Sequence, residues 1–523
     1  MTYASDPMVV IVEMQNEDDI FWGNTMSVMM RADKYRKKFA AKFVDWLIKK
    51  YGSAEAAKTA WGKNSLNVFP EFERNGVKES FETKYIIPIC NPWYLGIKNI
   101  AKMQLEKNVT KRLQDTAEFL FETQMTYYKN YEKAIKKTGY NGVLEASCWQ
   151  AGSDLPHYLN MYSDYLIGVI DRHNYYSGTG SWVMRAGDYN STPDFLKPGA
   201  GLLSSGVQQV ADRPFLLSEW DANSPYQWRA ATTTMIAYYG MGLQGWDGSM
   251  QFQANPTGFT KTIQSSENNV FNMSVPEGLG LYPALARSIY RNDIKEAEIV
   301  SARKVNIKSL LKGIIDFDES VEQQGDLKVF TGDLPNEALA YGRTVVEFTD
   351  KQEKSTFPDM TEMLKNKKII SQTKELEWDY ANPGEAHYIV NTKGTKAFAG
   401  FPPEGEIKIG DVKIKLQNRF ATIILTSLDK NKDIKNSKNL LLTCIARSRN
   451  TGMQYNESET RLNKVGFSPI IMEPVFAKIE IPGAKKVTVL DCDGLKTDKT
   501  KSVKNGIINI NGLEDKTIYY LIK

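Results

Sequence analysis

Histidine and cysteine are scarce in these 523 residues: three of the first (His157, His173, His387) and four of the second (Cys90, Cys148, Cys444, Cys492). The cysteines show no CxxC spacing and no histidine-rich neighbourhood, so neither a metal site nor a disulfide framework is expected. Three histidines leave few candidates for histidine-based metal or triad chemistry. No apolar run approaches the roughly 20 residues that a membrane-spanning helix needs. A net charge of +4 is left over from 66 basic and 62 acidic side chains. No basic block of the kind that binds nucleic acid stands out, and Lys34 to Lys38 and Lys49-Lys50 read as solvated helix faces. The opening MTYASD lacks the charged and apolar regions of a signal peptide. Repeats of roughly 20–50 residues are absent. Aromatics, in contrast, are plentiful, with ten Trp and twenty-six Tyr, enough for cores and for the faces that sugar clefts use. The length allows about two or three domains.

Two stretches organise the rest. Met8 to Glu17, MVVIVEMQNE, is an apolar run that ends in polar residues. It reads as a buried parallel strand whose C-terminal end opens on a site. Pro214 to Trp220, PFLLSEW, repeats the pattern and ends in Ser218-Glu219-Trp220. Two carboxylates on two strand ends, with Asn16 and aromatics beside them, suit general acid/base cleavage of a glycosidic bond. The plain alternative for each is a surface or ion-paired carboxylate. The dipeptide Asn-Glu occurs three times, at Asn16-Glu17, Asn336-Glu337 and Asn456-Glu457, and only the first follows a buried-strand pattern. Glu13, further back on the first strand, reads as a carboxylate paired inside the fold.

Helical spacing covers Lys34 to Lys50. Ser53 reads as the N-cap of a helix through Trp61, and a single long helix covers Lys102 to Lys137. Asn64 to Ile100, with three prolines and no clean period, reads as an insertion lying over the site. A strand-and-helix rhythm then resumes. Val143 to Cys148 ends at Trp149. Ile167 to Ile170 ends at Asp171, His173 and Tyr175, and Gly242 to Gly245 leads to a strand end at Trp246. Gly199 to Gly206 lacks the lysine and preceding strand of a phosphate loop and reads as a surface loop. Leu281 to Ile289 is the last helix of this part. From about Ile294 short apolar runs broken by Gly, Asp, Lys and Asn imply an all-β region, with Lys351 to Lys368 a charged surface excursion.

The order strand-NE, strand-W, strand-DxHxY, strand-SEW, strand-W resembles clan A glycoside hydrolases, the (β/α)8 enzymes that include cellulases and β-galactosidases. YASDPMVVIVEMQNED is similar to their fourth strand, and VIDRHNYY, PFLLSEW and LQGWDG to the sixth, seventh and eighth. LLLTCIARSRNTGM with IIMEPVFAKIEI resembles the β-sandwich appended to some uncharacterised bacterial members. The resemblance implies an α/β fold of the (β/α)8 TIM-barrel type over residues 1–293, with the insertion at 64–100, then β-sandwich over 294–523. Because the matching strands begin with the fourth, only strands four to eight are expected, and an upstream polypeptide would complete the barrel. The resemblance makes Glu17 the acid/base and Glu219 the nucleophile of a retaining hydrolase. Asn16, Trp149, His173, Tyr175, Trp220 and Trp246 would contact the sugar, with no cofactor, no nucleic-acid partner and an exported location. The rival readings are a glycan-binding protein or inactive barrel fragment without turnover, and an unrelated α/β enzyme whose residues 17 and 219 lie far apart.

Overall fold

The computed structural model describes residues 3–69, 78–88, 92–107, 109–149, 152, 154–177, 182–254, 258–263, 270–324 and 327–523. Its front half holds the parallel strands β1 (Ile11–Gln15), β2 (Val143–Ser147), β3 (Ile170–Tyr176), β4 (Phe215–Ala222) and β5 (Gly248–Gln251). β1 pairs with β2, and β3 with β4 and β4 with β5, all parallel. A parallel bridge from Glu145 to Val169 connects β2 to the lead-in of β3. The strands thus follow one another in chain order, with helices between them, as parallel crossovers require.

Between β1 and β2 lie α1 (Gly23–Arg31), α2 (Asp33–Tyr51), α3 (Ala54–Trp61), α4 (Ile97–Lys107) and α5 (Thr110–Lys137). Ser53 caps α3, accepting from the Ala56 amide at 3.0 Å. Phe43 of α2 is fully buried, its ring 4.9 Å from that of Phe119 and 6.0 Å from that of Trp61. The one helix expected over 102–137 is two. Val109 sits between them outside the helical region (φ −118°, ψ 14°), with its side chain fully buried. The described part of the 64–100 insertion packs on this helical layer: Glu79 accepts from the buried Arg112 guanidinium of α5, and Phe81 meets Trp61. Residues 70–77 and 89–91 lie outside the described residues.

α6 (Asp154–Ile167) joins β2 to β3 and is buried along most of its length. Ile167 therefore closes a helix, and the strand expected there runs from Ile170 to Tyr176. The glycine-rich stretch before β4 is not a surface loop: Gly201–Gln208 is a 3-10 helix buried throughout. α7 (Arg229–Met235) continues as a π-helix over Ile236–Leu243 and leads to β5. No described helix is long and apolar enough to cross a membrane.

After α8 (Tyr282–Tyr290), β6 (Ile299–Asn306) and β9 (Arg343–Thr349) pair in parallel. The hairpin β7 (Glu319–Gln324) and β8 (Leu327–Gly332) stands between them in sequence. Residues 350–359 are mostly exposed, matching the charged excursion. The remaining chain forms a nine-stranded antiparallel sheet, bounded by Lys368–Ile370 and Lys496–Lys501, and a four-stranded one. The central strand Ala421–Ser427 is buried at every position. Ile423 and Leu425 face a core shared with Ile414, Ile479 and Ile508 of the small sheet, whereas Phe420 and Ile424 face the core of the front half. This is the two-residue alternation of a strand covered on both faces, and it explains the unbroken apolar runs.

The two halves meet through aromatics. The Phe420 ring lies 5.9 Å from Phe195 and 5.1 Å from Trp228, and Phe420 is fully buried. Phe420→Ala should therefore cost about 3–5 kcal/mol, read as a lower denaturant midpoint at an unchanged slope.

Candidate active site

β3 reads IDRHNYY, and its alternation sorts the side chains onto two faces. Arg172 points to the helical side, where it pairs with the buried Asp164 at 3.0 Å and donates to Gln208 at 2.7 Å. Asp171, His173 and Tyr175 share the other face and meet Ser218 and Glu219 of β4.

The register makes this possible. Asp171 is opposite Leu216 and His173 is opposite Glu219, so β4 carries one extra residue between them. Such a bulge re-aims side chains. Here it lets two consecutive residues, Ser218 and Glu219, both reach His173, which strict alternation would forbid.

Glu17 comes from two residues beyond β1 and has φ +46°, the left-handed region. Its amide donates to Cys148 Sγ at 3.1 Å, fixing the turn against the end of β2. From there its carboxylate reaches His173 Nδ1 at 2.8 Å. The same nitrogen lies 3.5 Å from Glu219 Oε2. Carboxylate oxygens of Glu17 and Glu219 and a ring nitrogen of His173 all lie within 4.8 Å of one another. Tyr175 donates its hydroxyl to Glu219 Oε2 at 2.6 Å. His173 Nε2 faces Ser218 Oγ at 3.0 Å, while that hydroxyl donates to Asp171 Oδ2. With the serine hydrogen committed to Asp171, both ring nitrogens of His173 face acceptors, which favours the imidazolium.

Exposure separates the groups open to solvent from the supports. The Glu17 and Glu219 side chains are 36% and 26% exposed, whereas His173 is 1% exposed. Asn16 is exposed, with its Oδ1 3.7 Å from Cys148 Sγ. The Tyr175 ring lies 4.7 Å from that of Phe271, which in turn meets Trp182 at 5.6 Å. Trp182 is 67% exposed, an aromatic face in the vicinity of the acids that the sequence reading passed over. Phe252, just past β5 and half-buried, also edges the Tyr175 ring.

The expected tryptophans sit otherwise. Trp149 is buried, edge-on to Trp22 at 5.6 Å. Trp220 is buried, donating to Ser249 Oγ at 2.8 Å. Trp246 precedes β5 instead of ending it, and packs on Phe215 at the start of β4. Phe215 stands four residues before Glu219 along β4, roughly 13 Å at strand rise, so Trp246 stands at the opposite end of the strands from the acids. Gly206 and Gly240 make its slot, since a Cβ on either would come within 3.2 Å of the indole.

No family model matches the chain, and no curated protein matches it. Burial alone would lower the His173 pKa, but the hydrogen bond to Glu17 and the charges of Glu219, Asp171 and Glu17 outweigh it, and the net shift is upward. Burial likewise raises Glu219, opposed by the Tyr175 hydrogen bond and the His173 charge and reinforced by the Glu17 and Glu13 charges. A raised histidine pKa stabilises the fold fully below the ordinary value of 6.5 and loses that contribution as pH rises through the folded value. A histidine titration followed by NMR, simple with three histidines in the chain, should show one imidazole titrating above the ordinary range. Glu17→Gln should lower that value; an unchanged titration would mean that the pair does not form in solution.

Proposed function

We propose that this chain is a retaining glycoside hydrolase acting on O-glycosidic bonds of an oligo- or polysaccharide. The observation that carries the reading is the gap between the two acids: an oxygen of Glu17 and an oxygen of Glu219 lie within 4.8 Å. Retaining enzymes hold their carboxyl groups roughly 5–5.5 Å apart, and inverting enzymes roughly 6.5–9.5 Å, to leave room for water. The fold is in keeping with this. Five parallel strands in chain order, with Glu17 just past one strand and Glu219 in the later half of another, are what strands four to eight of a (β/α)8 barrel would supply.

In the first step a Glu219 oxygen attacks the anomeric carbon as the glycosidic bond breaks, and Glu17 delivers a proton to the departing oxygen. The product is an alcohol and a glycosyl ester on Glu219. In the second step Glu17, now a carboxylate, takes a proton from water as that water attacks the anomeric carbon and releases Glu219. Tyr175 and His173 both engage Glu219 Oε2, which leaves Oε1 as the attacking atom. The imidazolium offsets the Glu219 charge beside it and holds Glu17 by its Oε1, leaving Oε2 to carry the proton. Trp182 and Phe271 offer an aromatic face of the kind on which pyranose rings stack.

The test is turnover of a panel of aryl glycosides, with product configuration read by NMR. Glu17→Ala should lower kcat on substrates with poor leaving groups by about 10²–10⁴-fold. Glu219→Ala should abolish turnover, and azide should restore it as a glycosyl azide of inverted configuration. No turnover, together with retardation in polysaccharide gels, would instead make the chain a glycan binder.

A further inference from the structure

A second cluster lies on the same strands, with two of its three members buried more deeply than Glu17 and Glu219. Glu13 of β1 and Glu145 of β2 are register partners, and Cys148 follows β2 directly. Ligand atoms from the three lie within 4.8 Å of one another. Glu145 is 3% exposed, and its Oε1 has no hydrogen-bond partner. Cys148 is fully buried, whereas Glu13 is exposed and gives the cluster a route to solvent.

The charges here do not balance. The charged groups that act most strongly on Glu145 are Asp171, Glu13 and Asp164, all acids. Asp171 is already committed to the Ser218 amide and hydroxyl and to the Arg172 amide. A buried carboxylate among acids, with one oxygen unpaired, needs a proton or a cation. Burial, then the Asp171 charge and hydrogen bond and the Glu13 charge, push Glu145 up to about 10. Burial and the Glu13 charge push the Cys148 thiol up as well. A divalent ion would replace both protons at once, since metal ligation releases them.

The spacing favours an ion of borderline softness. A tetrahedral centre with sulfur at ~2.3 Å and carboxylate oxygen at ~2.0 Å places those two atoms ~3.5 Å apart. Cys148 Sγ and Glu13 Oε1 are 3.3 Å apart. The Glu17 amide already donates to Cys148 Sγ at 3.1 Å, the outer hydrogen bond that a metal-bound thiolate uses. One thiolate with two carboxylates suits Zn²⁺ or Co²⁺ over Ca²⁺ or Mg²⁺, which take oxygen ligands. We propose that Glu13, Glu145 and Cys148 form a binding site for a zinc-like divalent transition-metal ion, beneath Glu17 and separate from the pair Glu17 and Glu219.

The test uses Co²⁺ alone, added to the full chain stripped by chelator and reduced without thiols. A thiolate-to-cobalt charge-transfer band should grow to one equivalent. Cys148→Ser should abolish it, whereas the variant lacking the other three cysteines (Cys90, Cys444 and Cys492, all to Ser) should keep it. Glu13→Gln, at an exposed position that threatens folding least, should weaken Co²⁺ binding by calorimetry roughly 10–100-fold. No band with the intact chain, a band that survives Cys148→Ser, or Co²⁺ affinity unchanged in Glu13→Gln would overturn the proposal. None of these readouts uses glycoside turnover, so this site and the hydrolase reading stand or fall separately.

Discussion

Two carboxylates a few ångströms apart repel each other, and the candidate site exists because His173 stands between them. At the separation of up to 4.8 Å found here the repulsion of two full charges is at least about 3.5 kcal/mol at an effective dielectric constant of ~20. An imidazolium whose Nδ1 lies 2.8 Å from one acid and 3.5 Å from the other offsets that repulsion. Its charge depends in turn on what lies behind it. Were Ser218 free to donate to Nε2, the neutral ring would suffice. Asp171 takes the serine hydrogen, and the ring must supply its own. Asp171 is held by the amides of Arg172 and Ser218. The chain Asp171, Ser218, His173, then Glu17 and Glu219, therefore favours the charged imidazole as well as setting a geometry.

That chain needs the backbone irregularities on either side of it. Without the extra residue in β4, Ser218 and Glu219 would face opposite sides of the sheet, and His173 would lose one of its two contacts on that strand. Without the left-handed turn at Glu17, the chain leaving β1 would carry the carboxylate along the strand direction instead of across to β3. Both features leave regular geometry, and both are held by contacts from other strands: Cys148 on the Glu17 amide, Asp171 on the Ser218 amide.

How much of this a reader of the bare sequence could see follows from which signals are local. The paired glutamates were legible because an apolar run ending in a carboxylate is contained within about ten residues. Asp171, His173 and Tyr175 were legible as a set because strand alternation has period two, although the strand extends through them instead of ending before them. Ser218 and Cys148 were not, since their roles come from a bulge and from a contact across 131 positions. Trp246 misled for a related reason. Gly242 and Gly245 looked like the approach to a strand end, but Gly242 lies in a π-helix, and it is Gly206 and Gly240 that clear space for the indole. The buried 3-10 helix at Gly201–Gln208 misled in the same way: composition marks a loop only when the backbone has room to be solvated, and β8 and β9 cover this one. The two faces of the strand Ala421–Ser427 were legible only as hydrophobicity, because sequence does not say which core each side meets.

The inner face of the parallel strands thus carries Glu13, Glu145, Asp171, Glu17 and Glu219, with His173 as a cation that reaches Glu17, Glu219 and Asp171. One positive charge cannot neutralise five acids, so the remainder must be solvated, protonated or bound to something. Glu17 and Glu219 are partly solvated. Asp171 has three hydrogen-bond donors. Glu13 reaches water, and Glu145 has neither water nor a donor for its Oε1. The deficit is therefore local to the level of Glu145 and Cys148, below the gap between Glu17 and Glu219. A charge placed there acts on the gap by two routes, through Asp171 to Ser218 and His173, and through Cys148 Sγ to the Glu17 amide. The second is the shorter, a single hydrogen bond to a residue held in the left-handed region, and so an ion in the lower cluster would bear on where the Glu17 carboxylate sits.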